Sequence, residues 1–405
     1  MSCYSDSPLS SISIEEIENV YIFVSDALRW DSVPNSIKKR GIYFKTVASG
    51  LSTPQAMPSI ATGQYPSKHG ITWFNQALSP NTKTIFDFKS LTTGFNDNKL
   101  RRPLNDVLGG PANKEISELS SPFVCLELDH GGHAPFPALP EATPRETMQA
   151  TDGNSETLKE WYAEGVQESV KRFERRLELL EERELEEETL VIFTSDHGEL
   201  LGEHNGFAGH GYPPCPELAY VPTVLIHPDL PKGEERQKLI RHTDIFPTVS
   251  DVAGESINSS QIHGRSLFSE IPDNRLGYSH CTVHPPDKWH DSILDPLYSA
   301  PSIWDKQGGY VFGESNVIKR LLLCIYDSTK SGYTSSFNKN KNILSTLIDI
   351  CPMYIQSEGK FGSSVTSKQS AKEYYLEVSK ESESNTINNK LSEDTLEHLE
   401  SLGYK

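Results

Sequence analysis

The sequence predicts an α/β fold, in which helices sandwich a mostly parallel β-sheet, with a smaller α+β subdomain at the C-terminus. The first observation is a set of three short, almost continuous apolar runs, which are typical of buried strands in a parallel sheet. They span residues 20–24, 123–128 and 190–193. The second observation is that an aspartate follows each run within three positions, namely Asp26, Asp129 and Asp196.

A long helix is predicted between the second and third strands. Apolar residues recur there every three or four positions from Leu158 to Leu180, and a stripe with this spacing is expected to pack on the sheet. A further strand is predicted over 221–226. A helix that ends at a glycine is predicted over 243–254.

The pattern of apolar residues that predicts strands and helices weakens beyond about residue 270. Short apolar runs at 309–312 and 321–326 predict strands of a small accessory sheet, and the polar stretch 379–389 predicts a loop. Ser392 is expected to cap a terminal helix that runs to Leu402. The predicted organisation is an N-terminal leader over 1–16, a hydrolase core over 17–270 and a C-terminal subdomain over 271–405.

The composition excludes several classes of protein. The 405 residues include 38 Lys and Arg against 56 Asp and Glu, a net charge of −18, and a surface this acidic disfavours nucleic-acid binding. The sequence contains no apolar run of about 18 residues, so no membrane span is predicted. The N-terminus lacks a signal-peptide pattern. Six cysteines without Cys-x-x-Cys spacing indicate free thiols in a cytoplasmic protein. The oligomeric state is left open.

A metal site is predicted at the ends of the first and third strands. In open α/β sheets a ligand sits beyond the carboxyl ends of the strands. Asp26, Asp196 and His197 offer two carboxylates and an imidazole there, a set that can hold a divalent cation. Any one aspartate after a strand could simply cap a helix, but their occurrence together favours a site.

Four segments resemble the alkaline phosphatase/sulfatase superfamily, in particular its sulfatase branch. They are residues 22–31, 53–70, 189–204 and 243–248, and the closing stretch 399–404 is also similar. The resemblance implies a sulfatase-like fold and a metal-dependent hydrolase of small-molecule phosphate or sulfate esters.

The same resemblance implies that Thr53 is the nucleophile. Thr53 stands ten residues before Gly63, where the family places its nucleophile, and Pro54 predicts a helix start. A hydroxyl beside a metal and a helix N-terminus loses its proton more readily. We therefore predict Thr53 as catalytic residue and as fourth ligand of the metal. Ser52 is the alternative nucleophile, because in the sulfatase pattern a proline lies two residues after the nucleophile.

The sequence departs from typical sulfatases in ways that change the expected chemistry. No cysteine lies near position 53, so no formylglycine is expected, and Met57 replaces the arginine of that motif. Ser25 stands in place of a second aspartate, and His197 in place of an asparagine. These departures favour a phosphatase- or phosphodiesterase-like site. An imidazole ligand favours zinc or manganese, with calcium or magnesium as alternatives.

A second metal site is predicted from the sequence Asp129-His-Gly-Gly-His133. It resembles the second-metal motif of nucleotide pyrophosphatases and phosphodiesterases, and the third ligand would be His210 or, failing that, His242. The alternative is that His133-Ala-Pro135 corresponds to the His-x-Pro substrate-binding segment of sulfatases. The sequence is compatible with both interpretations.

Three further residues are candidates for substrate binding: Lys68, His69 and His242. The first two follow the nucleophile helix, where a structural turn explains them equally well. His280, His284 and His290 lie in a proline-rich stretch, which predicts a peripheral loop.

We expect ester hydrolysis through a threonyl intermediate. A threonyl sulfate cannot be released by the elimination open to formylglycine, so a phosphate ester is the chemically easier substrate. Two alternatives are a transferase that passes a phospho-alcohol headgroup through the same threonyl ester, and a binding protein that has lost catalysis.

Overall fold

A computed structural model describes residues 7–97, 102–285, 294–329, 332–381, 386–389 and 391–402. Its strands are β1 (Asn19–Ser25), β2 (Ile42–Val47), β3 (Gln76–Ala77), β4 (Thr92–Asp97), β5 (Phe123–Asp129), β6 (Thr189–Thr194), β7 (Leu200–Leu201), β8 (Ala208–Gly209), β9 (Tyr220–Ile226), β10 (Glu234–Arg241), β11 (Gly277–Val283), β12 (Tyr298–Trp304), β13 (Gly308–Phe312), β14 (Glu358–Gly362) and β15 (Ile387–Asn388). Its helices are α1 (Asn35–Lys38), α2 (Thr53–Thr62), α3 (Pro66–His69), α4 (Arg102–Val107), α5 (Pro144–Ala150), α6 (Ser155–Glu182), α7 (Glu203–Gly206), α8 (Pro216–Ala219), α9 (Ile245–Val252), α10 (Val317–Ser328), α11 (Tyr333–Phe337), α12 (Ile343–Ile355), α13 (Lys368–Lys380) and α14 (Glu393–Ser401).

A seven-stranded sheet in the order β10-β2-β9-β6-β1-β5-β4 forms the main core. Strand β9 is antiparallel to both of its neighbours, and the other pairings are parallel. The register sets Ser25 beside Asp129 and Val24 beside Thr194. The carboxyl ends of β1, β5 and β6 therefore lie side by side, as the three apolar runs predicted.

Helices cover both faces of this sheet. All seven residues of β1 are buried, and they alternate between two cores because successive side chains point to opposite faces. Ile22 packs in one core with Met57 of α2 and Ile245 of α9. Phe23 packs in the other with Phe173 of α6. The helices predicted over 158–180 and 243–254 are thus confirmed as α6 and α9.

A smaller antiparallel sheet in the order β11-β12-β13-β14 follows in the C-terminal part. Strand β13 confirms the run at 309–312. The strand predicted over 321–326 is wrong, because these residues lie in α10. Asn316 caps this helix by accepting a hydrogen bond from the Lys319 N–H, and its buried residues follow a helical spacing. A short apolar run does not by itself distinguish a strand from a buried helix.

The first and last described segments of the chain pack on the main core. Leu9, Ile12 and Leu399 are buried in the same cluster as Ile22, and the predicted C-terminal helix is confirmed as α14 with Ser392 as its cap. The loop predicted over 379–389 is only partly confirmed: α13 extends into it and β15 pairs with β3, while 382–385 lie outside the described residues. The domain boundaries stay a prediction.

Two expectations from the sequence concern membrane-spanning helices and free cysteine thiols. None of the described helices combines the length and the apolar character needed to cross a bilayer. The five described cysteines are free.

Candidate active site

Asp26, Asp196 and His197 come together at the end of the sheet. All three side chains are fully buried, and one ligand atom from each lies within 4.8 Å of the others. His197 Nε2 lies 3.6 Å from Asp26 Oδ1 and 3.4 Å from Asp196 Oδ2. The parallel register explains the meeting, because Asp26 follows β1 and Asp196 follows the adjacent β6.

Hydrogen bonds orient the side chains of His197 and Asp196. His197 Nδ1 lies 2.8 Å from the Gly198 carbonyl, which can only accept, so Nδ1 carries the proton and Nε2 presents a lone pair. Asp196 Oδ1 accepts from the Ala27 and His197 N–H groups, whereas Oδ2 accepts no hydrogen bond from the described residues.

Such a set requires positive charge at its centre. Burial alone would lower the pKa of His197, but the carboxylates of Asp196 and Asp26 outweigh burial and raise it. Two oxygens and one nitrogen that are buried close together are a donor set that can hold a divalent cation. The residues present therefore fit a divalent ion.

The turn after β1 is held in an unusual conformation. Ala27 has φ of 61°, a left-handed conformation that costs a residue with a Cβ about 1–3 kcal/mol. Its N–H donates to Asp196 Oδ1 and its carbonyl accepts from the Tyr162 hydroxyl. Gly131, with φ of 57°, packs so closely that a Cβ would collide with the Asp26 carbonyl. These contacts fix where Asp26 lies.

Thr53 is the first residue of α2, and its hydroxyl lies beside His197. Thr53 Oγ1 lies 3.4 Å from His197 Nε2, and Thr53 is fully buried. Ser52 occupies the N-cap position, but its hydroxyl makes no hydrogen bond to a described residue. The distance to His197 favours Thr53 over Ser52 as the nucleophile.

The structure does not bring Asp129 together with His133 and His210. Asp129 Oδ1 accepts from Arg172 Nη2 at 2.9 Å, and Asp129 Oδ2 accepts from Arg172 Nε. Its Oδ1 also accepts from the Gly131 N–H. Arg172 comes from α6, so it already supplies the positive charge that a second ion would have brought. The predicted second-metal set is not assembled among the described residues.

His210 lies with His197 and Glu199, and one ligand atom of each falls within 4.8 Å of the others, so these three residues could also hold an ion. Glu199 was not among the residues predicted from the sequence. His210 Nδ1 lies 3.1 Å from Glu199 Oε2, and its ring stacks on His197 with centroids 4.5 Å apart. The ring of His133 also lies near that of His210, with 4.9 Å between the ring centroids. The signal for Glu199 was its position two residues after His197, within the same motif.

The three predicted substrate-binding residues make hydrogen bonds within the protein. His242 accepts from the Ser49 N–H and donates to the Ser195 carbonyl, which uses both ring nitrogens. His69 accepts from the Ile71 N–H and donates to the Ser59 hydroxyl. Lys68 donates to the Ser260 carbonyl at the surface. His242 therefore braces the Ser49 and Ser195 backbones, and His69 the turn after α2.

A cavity of about 440 Å³ leads to the site. Ser52 and His210 form part of its wall, together with Glu397 and Glu400 of α14. Its aromatic and basic lining comprises Trp73, Tyr212, Tyr326, Tyr333 and Arg145. His280 lies in β11, so the peripheral loop predicted for it is wrong, whereas His284 lies in the loop after β11 and lines the cavity. His290 lies outside the described residues.

Comparison with known proteins identifies the family. A Sulfatase family model matches residues 73–255. The low-salt glycan biosynthesis sulfotransferase Agl7 of Haloferax volcanii is 30% identical over 98% of this chain and 99% of that protein. The chain belongs to the alkaline phosphatase/sulfatase superfamily.

Other members of the superfamily agree at fold level. Human arylsulfatase K is 35% identical over 25% of this chain and 16% of its own length. The phosphonate monoester hydrolase of Agrobacterium radiobacter has a TM-score of 0.59 at 16% identity, over 73% of this chain and 87% of that chain. A 2-O GAG sulfatase has a TM-score of 0.57 at 16% identity, over 74% and 83%. The sulfatase-like fold inferred from the sequence is confirmed.

Proposed function

We propose that the protein is a metal-dependent enzyme that cleaves a sulfate or phosphate ester of a glycan by attack of Thr53. The observation that carries this proposal is the convergence of the Thr53 hydroxyl with Asp26, Asp196 and His197 at one buried point. A divalent ion bound there would lower the pKa of the hydroxyl and offset charge on the transferred group.

Group transfer would proceed through an ester on Thr53. Thr53 Oγ1 forms a bond to sulfur or phosphorus while the bond to the leaving oxygen breaks. The threonine loses one proton and the leaving oxygen gains one, so the alcohol departs neutral. Water or another hydroxyl then attacks the same atom, gives up its proton and restores Thr53.

His210 is suited to carry the proton between these groups. It lines the cavity close to His197, and the carboxylate of Glu199 holds its Nδ1 side. This fixes the ring so that Nε2 can donate to the leaving oxygen and later accept from the attacking hydroxyl. The ring of His133 lies beside that of His210, with 4.9 Å between the ring centroids.

The lining of the cavity supports a sugar as the bound part of the substrate. Trp73, Tyr212 and Tyr326 present aromatic surface, on which the apolar face of a sugar ring can pack. Glu397 and Glu400 offer carboxylates that can accept from sugar hydroxyls. The name of the full-length Haloferax relative also refers to a glycan.

Transfer to a second hydroxyl is the other candidate function. The full-length relative is named a sulfotransferase, which favours a sulfuryl group and an acceptor other than water. The threonyl ester allows both outcomes, because only the acceptor differs. This observation weighs against the phosphate preference expected from the threonine alone.

Paired substrates test the proposal. Matched p-nitrophenyl sulfate, p-nitrophenyl phosphate and bis-p-nitrophenyl phosphate are assayed with zinc, manganese, magnesium or calcium, with and without a free sugar as acceptor. We expect chelator-sensitive release of p-nitrophenol, and transfer if a sugar ester accumulates. Intact-mass analysis after a rapid quench should find the added group, and peptide mapping should locate it on Thr53. Full activity after metal removal, or modification of another residue, contradicts the proposal.

A further inference from the structure

The two neighbouring helices α10 and α12 expose an apolar surface. Of the eleven large aliphatic side chains exposed among the described residues, eight lie on these helices. Those eight are Val317, Ile318, Leu321, Ile325, Ile343, Leu344, Ile348 and Ile355, and we refer to them as the α10–α12 patch. Ile318, Leu344 and Ile348 are more than 60% exposed. Large apolar patches on a surface mark sites of interaction.

The two helices that carry the patch are joined to each other. The four α10 residues recur at helical spacing opposite the buried Leu323 and Asp327. Arg320 donates to the Ile355 carbonyl at 2.6 Å, and the Tyr354 hydroxyl donates to Asp327 Oδ2 at 2.8 Å. These contacts join α10 to α12, so the two exposed stripes belong to one packed pair of helices.

The charge of this segment is opposite to that of the chain. Residues 317–355 contain five Lys or Arg and two Asp, or +3, which leaves −21 for the rest of a chain whose net charge is −18. Lys339 and Lys341 are exposed beside the patch and pair with the surface carboxylates of Asp152 and Asp349. Exposed pairs of this kind are weak, so the lysines can exchange them for another anion.

These features together favour one occupant. We propose that the α10–α12 patch docks on the surface of a membrane that contains anionic lipids. Apolar side chains at helical spacing with lysines beside them are the features that hold a helix in the interfacial layer. A second copy of the chain is disfavoured, because apposing two such patches would bring two positive segments together.

Docking there would bring the active-site cavity near the lipid surface. Tyr326 of α10 and Tyr333 of α11 line the cavity, and Ile325 of the patch is the neighbour of Tyr326. The same helix therefore borders both the cavity and the proposed docking surface. Membrane binding itself does not depend on the proposed reaction, so the two can fail separately.

Co-sedimentation with vesicles tests the docking. The full chain is mixed with vesicles of phosphatidylglycerol and phosphatidylcholine, and separately with vesicles of phosphatidylcholine alone. We expect binding to the mixed vesicles that weakens with added salt and is lower without the anionic lipid. The double variant Ile318→Gln, Leu344→Gln should lower the partition coefficient about tenfold or more.

A matched variant and a second measurement keep the test decisive. Val365 and Leu376 are also exposed aliphatic residues but lie outside α10 and α12, so Val365→Gln with Leu376→Gln should bind like the wild type. Equal binding by both double variants, or no binding by the wild type, overturns the proposal. A dimer in sedimentation velocity that Ile318→Gln, Leu344→Gln abolishes, without vesicle binding, overturns it in favour of a second copy.

Discussion

Thr53 Oγ1 lies 3.4 Å from His197 Nε2, although 144 residues separate them in the chain. The contact joins the first residue of α2 to the residue that follows Asp196 at the end of β6. It brings a hydroxyl to the point where two carboxylates and an imidazole converge. A hydroxyl and three groups that could hold a divalent ion are thereby assembled in one buried place.

The first prediction concerns the nucleophile. Thr53→Ala should lower kcat by at least about 10³-fold, because the covalent step is lost. Metal content should be unchanged, since Asp26, Asp196 and His197 remain. Ser52→Ala is the matched control and should keep most of the activity. The reverse result, with Ser52→Ala inactive and Thr53→Ala active, would identify Ser52 as the nucleophile.

The second prediction concerns the metal. Asp196→Ala removes the carboxylate whose Oδ2 accepts no hydrogen bond from the described residues, and should release the bound ion and abolish activity. Metal analysis of the purified protein should find at least one divalent ion per chain in the wild type. A wild-type protein without metal that is nevertheless active excludes the site.

The third prediction separates a salt bridge from a second metal site. Arg172→Ala leaves the buried carboxylate of Asp129 without its guanidinium, and should lower the free energy of unfolding by about 1–3 kcal/mol. Asp129→Asn should leave the number of bound ions unchanged. Urea denaturation and metal analysis measure the two effects. Loss of one ion in Asp129→Asn would restore the interpretation of Asp129 as a ligand.

The fourth prediction concerns proton transfer. Glu199→Gln removes the carboxylate that positions His210, and should lower kcat about 10–100-fold for an ester with an alkyl leaving group. The effect should be much smaller for a p-nitrophenyl ester, because p-nitrophenolate leaves without protonation. KM should change little. Equal losses with both leaving groups would point to a purely structural role.

The fifth prediction concerns stability against acid. Burial lowers the pKa of His69 to about 3 and of His242 to about 4, against about 6.5 in an unfolded chain. Below about pH 6.5 the unfolded state therefore binds more protons, and stability should fall as pH falls, by up to about 1.4 kcal/mol per pH unit for each histidine. In urea denaturation, the stability of His69→Gln should depend less steeply on pH than that of the wild type. An unchanged dependence on pH contradicts the lowered pKa of His69.

Local patterns were sufficient for the parallel strands and for the meeting of Asp26, Asp196 and His197. A buried parallel strand is a nearly continuous apolar run, and the carboxyl ends of such strands meet at one edge of the sheet. Asp26, Asp196 and His197 therefore could be placed together from their positions after two runs. The helix stripe of α6 and the Ser392 cap were equally local.

The tertiary structure decided which charged groups meet across the chain. Asp129 follows its strand as Asp26 does, yet Arg172 of α6 reaches it and replaces a metal ion as its partner. The apolar run in α10 became a helix through its cap and its packing on α12. The pairing of Glu199 with His210 likewise depends on how a loop folds back. Periodicity records which face of an element is buried, whereas the partner of a charge is set by distances in space that no local pattern contains.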